Sequence, residues 1–142
     1  MSAFENPSDD EIREILGCAR SVAVVGCSPD PARDSHRVAR LLRSLGHRVI
    51  PVNPSAHEIL GERCYGSLRE VPGPVDMVDV FRRSDAVPEI AEEAIAIGAR
   101  ILWLQLGVVD EAAAARARAA GLTVVMDRCP AIEYRRLLTE TA

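Results

Sequence analysis

Residues 21–35 read Ser21-Val-Ala-Val-Val-Gly-Cys-Ser-Pro-Asp-Pro-Ala-Arg-Asp-Ser35. The first five are small or β-branched and suit a strand. Gly26 then permits a tight exit, because a residue without a Cβ tolerates backbone conformations that others avoid. A polar loop with two prolines leads on to Val38, Leu41, Leu42 and Leu45, which recur at helical spacing until Gly46 supplies a stop. Strand, glycine exit and helix, in that order, form the opening unit of an α/β fold.

The flanking segments repeat the theme. Ser8-Asp-Asp-Glu11 is a capping box, and it predicts a short helix ending near Gly17. His47–Val52 is the second predicted strand. Residues 53–71 contain Pro54, Gly61 and Gly66, and predict loop with a short helical turn near 67–70. Val75–Phe81 is the third strand, followed by a helix that Ser84 or Asp85 caps and that runs through Ile90, Ala94 and Ile97 to Gly98. Arg100–Gln105 is the fourth strand, Asp110 caps an alanine-rich helix ending at Gly121, Leu122–Met126 is the fifth strand, and a last helix starts near Pro130. Alternating strands and helices imply a parallel sheet, and strands two to five are almost unbroken apolar runs, as strands buried on both faces are. The expected fold is a Rossmann-like, three-layer α/β structure with a five-stranded parallel sheet in the order 3-2-1-4-5. No repeat or linker divides the sequence, so residues 1–142 are expected to form a single domain.

Composition narrows the function. Hydrophobic residues make up 48% of the chain and charged residues 27%, which suits a globular protein rather than a disordered one. The net charge of −4 lacks the basic stripe of a nucleic-acid binder. No apolar stretch approaches the roughly 20 residues of a membrane span. Residues 1–11 lack the basic start and apolar core of a signal peptide, so the cytoplasm is the expected compartment. Cys18, Cys27, Cys64 and Cys129 form no metal-binding pattern and read as free thiols.

In open parallel sheets, ligands lie beyond the carboxyl ends of the strands. The segments that follow the strands are therefore the candidates for a site. In the first, Gly26, Cys27 and Ser28 precede a helix whose amino terminus suits a phosphate, with Arg33 as a cation and Ser35 as a hydroxyl donor or helix cap. An ordinary strand-to-helix turn is the alternative. Asn53 and Pro54 follow strand two. Phe81, Arg82 and Arg83 follow strand three, and a guanidinium fork fits phosphate oxygens, although solvated surface arginines read the same way. Gln105 and Gly107 follow strand four, offering a carboxamide and a close backbone approach. Arg128 and Cys129 follow strand five. Trp103 reads as core. Cys27 and Cys129, each near a helix start, are either reactive thiols or small corner fillers.

The first loop is not the dinucleotide fingerprint: only one glycine is present, and the end of strand two carries Asn53 where a ribose-binding acid is wanted. Catalytic sets are scarce. His36, His47 and His57 fall on separate elements, and no nucleophile elbow or P-loop is present. Asp76 and Asp79 lie on opposite sides of their strand and make no paired acid site.

The strings Val22-Ala-Val-Val-Gly-Cys-Ser-Pro29, Val49-Ile-Pro-Val-Asn-Pro54, Gly61-Glu-Arg-Cys-Tyr65, Val75-Asp-Met-Val-Asp-Val-Phe81, Leu102-Trp-Leu-Gln-Leu-Gly107 and Val125-Met-Asp-Arg-Cys-Pro130 resemble, in order and spacing, the small stand-alone CoA-binding proteins of bacteria and archaea. These are similar to the N-terminal CoA-binding domain of the succinyl-CoA synthetase alpha subunit. The resemblance implies that Gly26, Cys27 and Ser28 face the CoA phosphates. It places Asn53, Pro54, residues 80–83 and residues 105–107 along the ligand, and sets Arg128-Cys129-Pro130 where the synthetase has Asn-Cys-Pro. The synthetase's second domain, with its phosphorylated histidine, has no counterpart here, so synthetase activity is not implied. The expectation is a non-catalytic protein that binds coenzyme A or an acyl-CoA, with no nucleic-acid or membrane partner and no protein partner named. An NAD(P)-binding oxidoreductase and a thiol-based, CoA-linked redox regulator are the alternatives.

Overall fold

A computed structural model describes residues 4–138. Along the chain it runs α1 (Asp9–Cys18), β1 (Ser21–Val25), α2 (Asp34–Ser44), β2 (Arg48–Val52), β3 (Glu58–Ile59) and β4 (Glu62–Arg63). It continues with β5 (Met77–Val80), α3 (Val87–Ala96), β6 (Ile101–Leu104), α4 (Glu111–Ala119), β7 (Thr123–Val125) and α5 (Pro130–Leu138). The Ser8/Glu11 capping box is present at α1, and Asp110 caps α4 by accepting from the Ala113 amide at 2.9 Å.

Five strands pair in parallel in the order β2-β1-β5-β6-β7. All five residues of β1 are buried, as a central strand covered on both faces requires. One face carries α3 and α4, with Leu68, Val71 and Val75 packed beside them. The other carries α1, α2 and α5. The fold is therefore the expected Rossmann-like α/β sheet flanked by helices.

The place of the third predicted strand needs correction. Counting only the five major strands, the order is 2-1-3-4-5 rather than 3-2-1-4-5. Pro51 supplies the reason. Its carbonyl accepts the Tyr65 amide at 3.1 Å on the side of β2 away from β1. A further strand on that side would meet a residue without an N–H, so proline in a strand belongs at an edge. The chain instead covers this edge with the single bridge from Val52 to Tyr65, crosses over the α3/α4 face through Leu68 and Val71, and enters the sheet on the far side of β1.

Three local expectations also change. Residues 53–71 contain the antiparallel pair β3–β4, joined by Leu60 and Gly61, both at positive φ (56° and 74°). That is the signature of a two-residue hairpin turn, hidden because leucine rarely adopts it. The short helical turn is a 3-10 turn at Leu68–Glu70. Neither Ser84 nor Asp85 caps α3, because a 3-10 turn at Ser84–Ala86 intervenes and the N-cap is Ala86. The Ser84 hydroxyl instead accepts from the Val109 amide at 2.9 Å.

Candidate functional site

The chain leaves β1 onto the α2 face and leaves β5 onto the α3 face, so a crevice opens above the carboxyl ends of these adjacent strands. Its floor is a backbone contact. Gly26 has φ +86°, and a Cβ built there would lie 2.3 Å from the Phe81 carbonyl oxygen and 3.0 Å from Arg82 Cδ. The glycine thus lets the exits of β1 and β5 touch, and the Arg82 stem lies over the turn.

The loop from Gly26 to α2 is held by its own side chains. The Ser28 amide donates to Ser35 Oγ at 2.9 Å, the Asp30 amide to Ser28 Oγ at 3.0 Å, and the Ala32 amide to Asp30 Oδ1 at 2.9 Å. Ser35 is therefore not the helix cap. Arg33 occupies that position without a side-chain cap bond, which leaves the first-turn amides of α2 uncovered by it. Both serine oxygens accept from backbone, so each hydroxyl hydrogen remains available to donate. His36, which sequence reasoning did not single out for the loop, pairs Nδ1 with the Ser28 carbonyl at 2.9 Å. A concavity of about 500 Å³ is bounded by Gly26, Ser28, Arg33, Ser35 and Phe81. Asp34 also borders it, but its carboxylate is paired with Arg37.

Other candidates meet this loop to different degrees. Asn53 bridges it to β2, donating from Nδ2 to the Cys27 carbonyl at 2.8 Å and accepting the Ser55 amide on Oδ1 at 2.8 Å. Its carboxamide is thus occupied by backbone, while Pro54 is exposed beside it. Arg83 is 88% exposed and pairs with Asp85 rather than folding over Gly26. Gly107 donates its amide to Asp127 Oδ1 at 2.8 Å, which ties the β6 exit to the β7 exit. The Arg128 carbonyl accepts Trp103 Nε1 at 2.9 Å, so the fully buried indole anchors that exit from below. Gln105 and Cys129 meet Phe81 in a second hollow between α2 and α5. Sequence reasoning read Leu41 as an apolar helix position and started a last helix near Pro130, and it assigned neither helix to a site.

Cys27, Cys64 and Cys129 are buried, and Cys18 is exposed. Cys27 is wholly buried, and burial, with Cys64 and Asp79 nearby, pushes its pKa up to about 12. Cys27 reaches the rim through its backbone alone. Burial raises Cys64 as well, partly offset by a hydrogen bond with the Asn53 backbone. At pH 8 iodoacetamide is therefore expected to alkylate the exposed Cys18 and to leave Cys27 untouched in the folded protein, as read by peptide mass mapping. Equal labelling of the two would overturn this placement.

Histidine hydrogen bonds go to backbone carbonyls: Ser28 for His36 and Ala19 for His47. Among the described residues no group of three or more His, Cys, Asp or Glu could hold a metal, and no helix is long and apolar enough to cross a membrane.

Known proteins share this fold. A family model described as a CoA binding domain matches residues 20–135. The chain is similar to the uncharacterized protein YneT of Bacillus subtilis, 45% identical over 126 residues that cover 89% of this chain and 93% of that one. It is also similar to the ADP-forming acetate–CoA ligase I of Archaeoglobus fulgidus, 36% identical over 80 residues. Those residues are 56% of this chain and 12% of the ligase. Among solved structures, a hypothetical protein from Pyrococcus horikoshii OT3 superposes with a TM-score of 0.91 at 37% identity, covering 98% of this chain and 100% of that one.

Proposed function

The chain belongs to the CoA-binding domain family, and from that premise we propose that it binds coenzyme A as a stand-alone, non-catalytic module. The observation that carries this reading is the meeting of the Gly26 turn, the amino end of α2 and Arg33 around one concavity, with the Arg82 stem lying against the Gly26 turn. A pyrophosphate there would receive first-turn amides and the Ser28 and Ser35 hydroxyls, with the helix dipole favouring its charge. The self-bonded loop would lose little freedom on binding, which favours affinity. Arg33 and Arg82 supply the cations that a pyrophosphate and a 3′-phosphate require. The relation to acetate–CoA ligase supports CoA as the ligand, whereas the ligase reaction belongs to a protein of which this chain matches 12%. The buried Cys27 and the backbone-bonded histidines favour binding over covalent chemistry.

Isothermal titration with CoA and with dephospho-CoA tests the proposal. CoA is expected to bind, and Arg33→Ala and Arg82→Ala each to weaken it about tenfold, the usual loss for one charge-assisted contact. Dephospho-CoA is expected to be weaker with the wild type and to narrow the gap for whichever arginine meets the 3′-phosphate. Absence of binding by CoA would remove the reading.

A further inference from the structure

The hollow between α2 and α5 has about 750 Å³ and opens from the same rim. Phe81 and Asp34 border both it and the concavity at the Gly26 turn, so the two adjoin. Their chemistry differs. The first is mostly polar; the second has mostly apolar walls, from Val38 and Leu41 of α2 and Ala131 and Ile132 of α5 with Leu106 at its mouth, and Arg37, Arg40 and Arg135 line it as well. Leu106 and Ile132 are 55% and 46% exposed, two of the four large hydrophobic side chains left exposed among the described residues. Exposed apolar side chains that face one another across a groove mark a surface built to be covered.

An independent observation lies in the hollow itself. Gln105 lines the hollow and is 6% exposed, yet its Oε1 has no hydrogen-bond partner among the described residues. A buried acceptor without a donor is costly, and a ligand N–H would satisfy it. Coenzyme A carries two amide N–H groups in its pantetheine arm, between the phosphates and the thiol.

We infer that the α2–α5 hollow takes the acyl chain of an acyl-CoA. The phosphates rest at the Gly26 turn, a pantetheine amide donates to Gln105 Oε1, and the chain lies between Leu41 and Ile132. This inference rests on the CoA reading above and adds the ligand class: a thioester of a medium-length aliphatic acid. A second copy of the protein is the rival occupant of the same apolar walls; the buried Gln105 oxygen calls for an N–H that reaches into the hollow, which a slender pantetheine arm supplies.

The test is titration of the full chain with CoA, acetyl-CoA and octanoyl-CoA. Each methylene that leaves water is worth roughly fourfold in affinity. A half-open groove and the ordering of the chain recover only part of that for six added methylenes. Octanoyl-CoA is therefore expected to bind about 30-fold more tightly than acetyl-CoA, about 2 kcal/mol. Ile132→Glu, at an exposed position that folding tolerates, is expected to bring the octanoyl-to-acetyl ratio close to one. Equal binding of the two thioesters by the wild type would overturn the acyl groove and leave CoA binding intact. No binding of any of the three would overturn both readings. Sedimentation showing a dimer that octanoyl-CoA does not dissociate, and that Ile132→Glu does, would assign the walls to self-association and overturn the inference.

Discussion

Gly26→Ala is expected to lower the unfolding free energy by about 4 kcal/mol, and the melting temperature by roughly 10–15 °C for a chain of this size. Two costs combine. At φ +86° an L side chain is strained whatever surrounds it, which by itself costs on the order of 1–2 kcal/mol. The new Cβ would also lie 2.3 Å from the Phe81 carbonyl oxygen, a backbone atom that cannot swing aside. Relieving that overlap means parting β1 from β5 where the Phe81 amide donates to the Val25 carbonyl at 2.8 Å. Gly73→Ala is the control, because Gly73 has a similar φ of +80° and a Cβ placed there would meet nothing within 4 Å. It is expected to cost only about 1 kcal/mol. Thermal melts of both variants separate strain from collision, and equal losses would sink the idea of a backbone contact at the floor of the crevice. The same displacement moves Arg82, so CoA affinity is expected to fall by at least about tenfold in Gly26→Ala under conditions where the variant is still folded.

Much of this geometry was written in local patterns. β-branched runs marked the strands, the Ser8 and Asp110 caps marked helix starts, and the rule that ligands gather at strand exits led to Gly26, Phe81 and Gln105. What local pattern could not give was adjacency. The sequence does not say that Gly26 touches the Phe81 carbonyl, because that depends on which strand lies beside β1. Pro51 held the clue to the strand order, since a proline within a strand marks an edge, but an apolar run around it reads as an interior strand. The β3–β4 hairpin escaped because its turn uses Leu60 at positive φ, where asparagine or glycine would have announced it. Arg82 and Arg83 are indistinguishable as a doublet. Only the fold lays the stem of one over the Gly26 turn and pairs the other with Asp85. The hollow between α2 and α5 was invisible for a related reason: apolar positions on two distant helices signal core unless the space between them stays open.

Asp79→Val is expected to stabilise the protein by about 3 kcal/mol at pH 7.5, raising the melting temperature by roughly 10 °C. Asp79 sits in β5, in register between Val24 of β1 and Trp103 of β6, and is fully buried. Neither carboxyl oxygen has a hydrogen-bond partner among the described residues. Burial holds its pKa well above the ordinary value of 3.8, so the folded protein retains a proton that the unfolded chain releases. The sign follows by linkage. Below pH 3.8 both states are protonated and the stability associated with this group is complete. As pH rises from there toward the folded pKa, the unfolded state gains by ionising and stability falls, levelling off only above that pKa. Valine fits a strand and removes both the orphaned oxygens and the titration. The stability difference between Asp79→Val and wild type is therefore expected to widen as pH rises from 4.5 to 7.5, and because it is a difference, other titrating groups cancel. Asp79→Asn separates the two contributions. It keeps the shape and the unmet polar atoms but cannot ionise, so it is expected to flatten the pH dependence while recovering less stability than valine. Urea unfolding of the three proteins at pH 4.5, 6.0 and 7.5 provides the comparison. A gap between valine and wild type that stays constant with pH, or a valine variant less stable than wild type, would mean that the Asp79 carboxyl is not a neutral, unpartnered acid in the folded core.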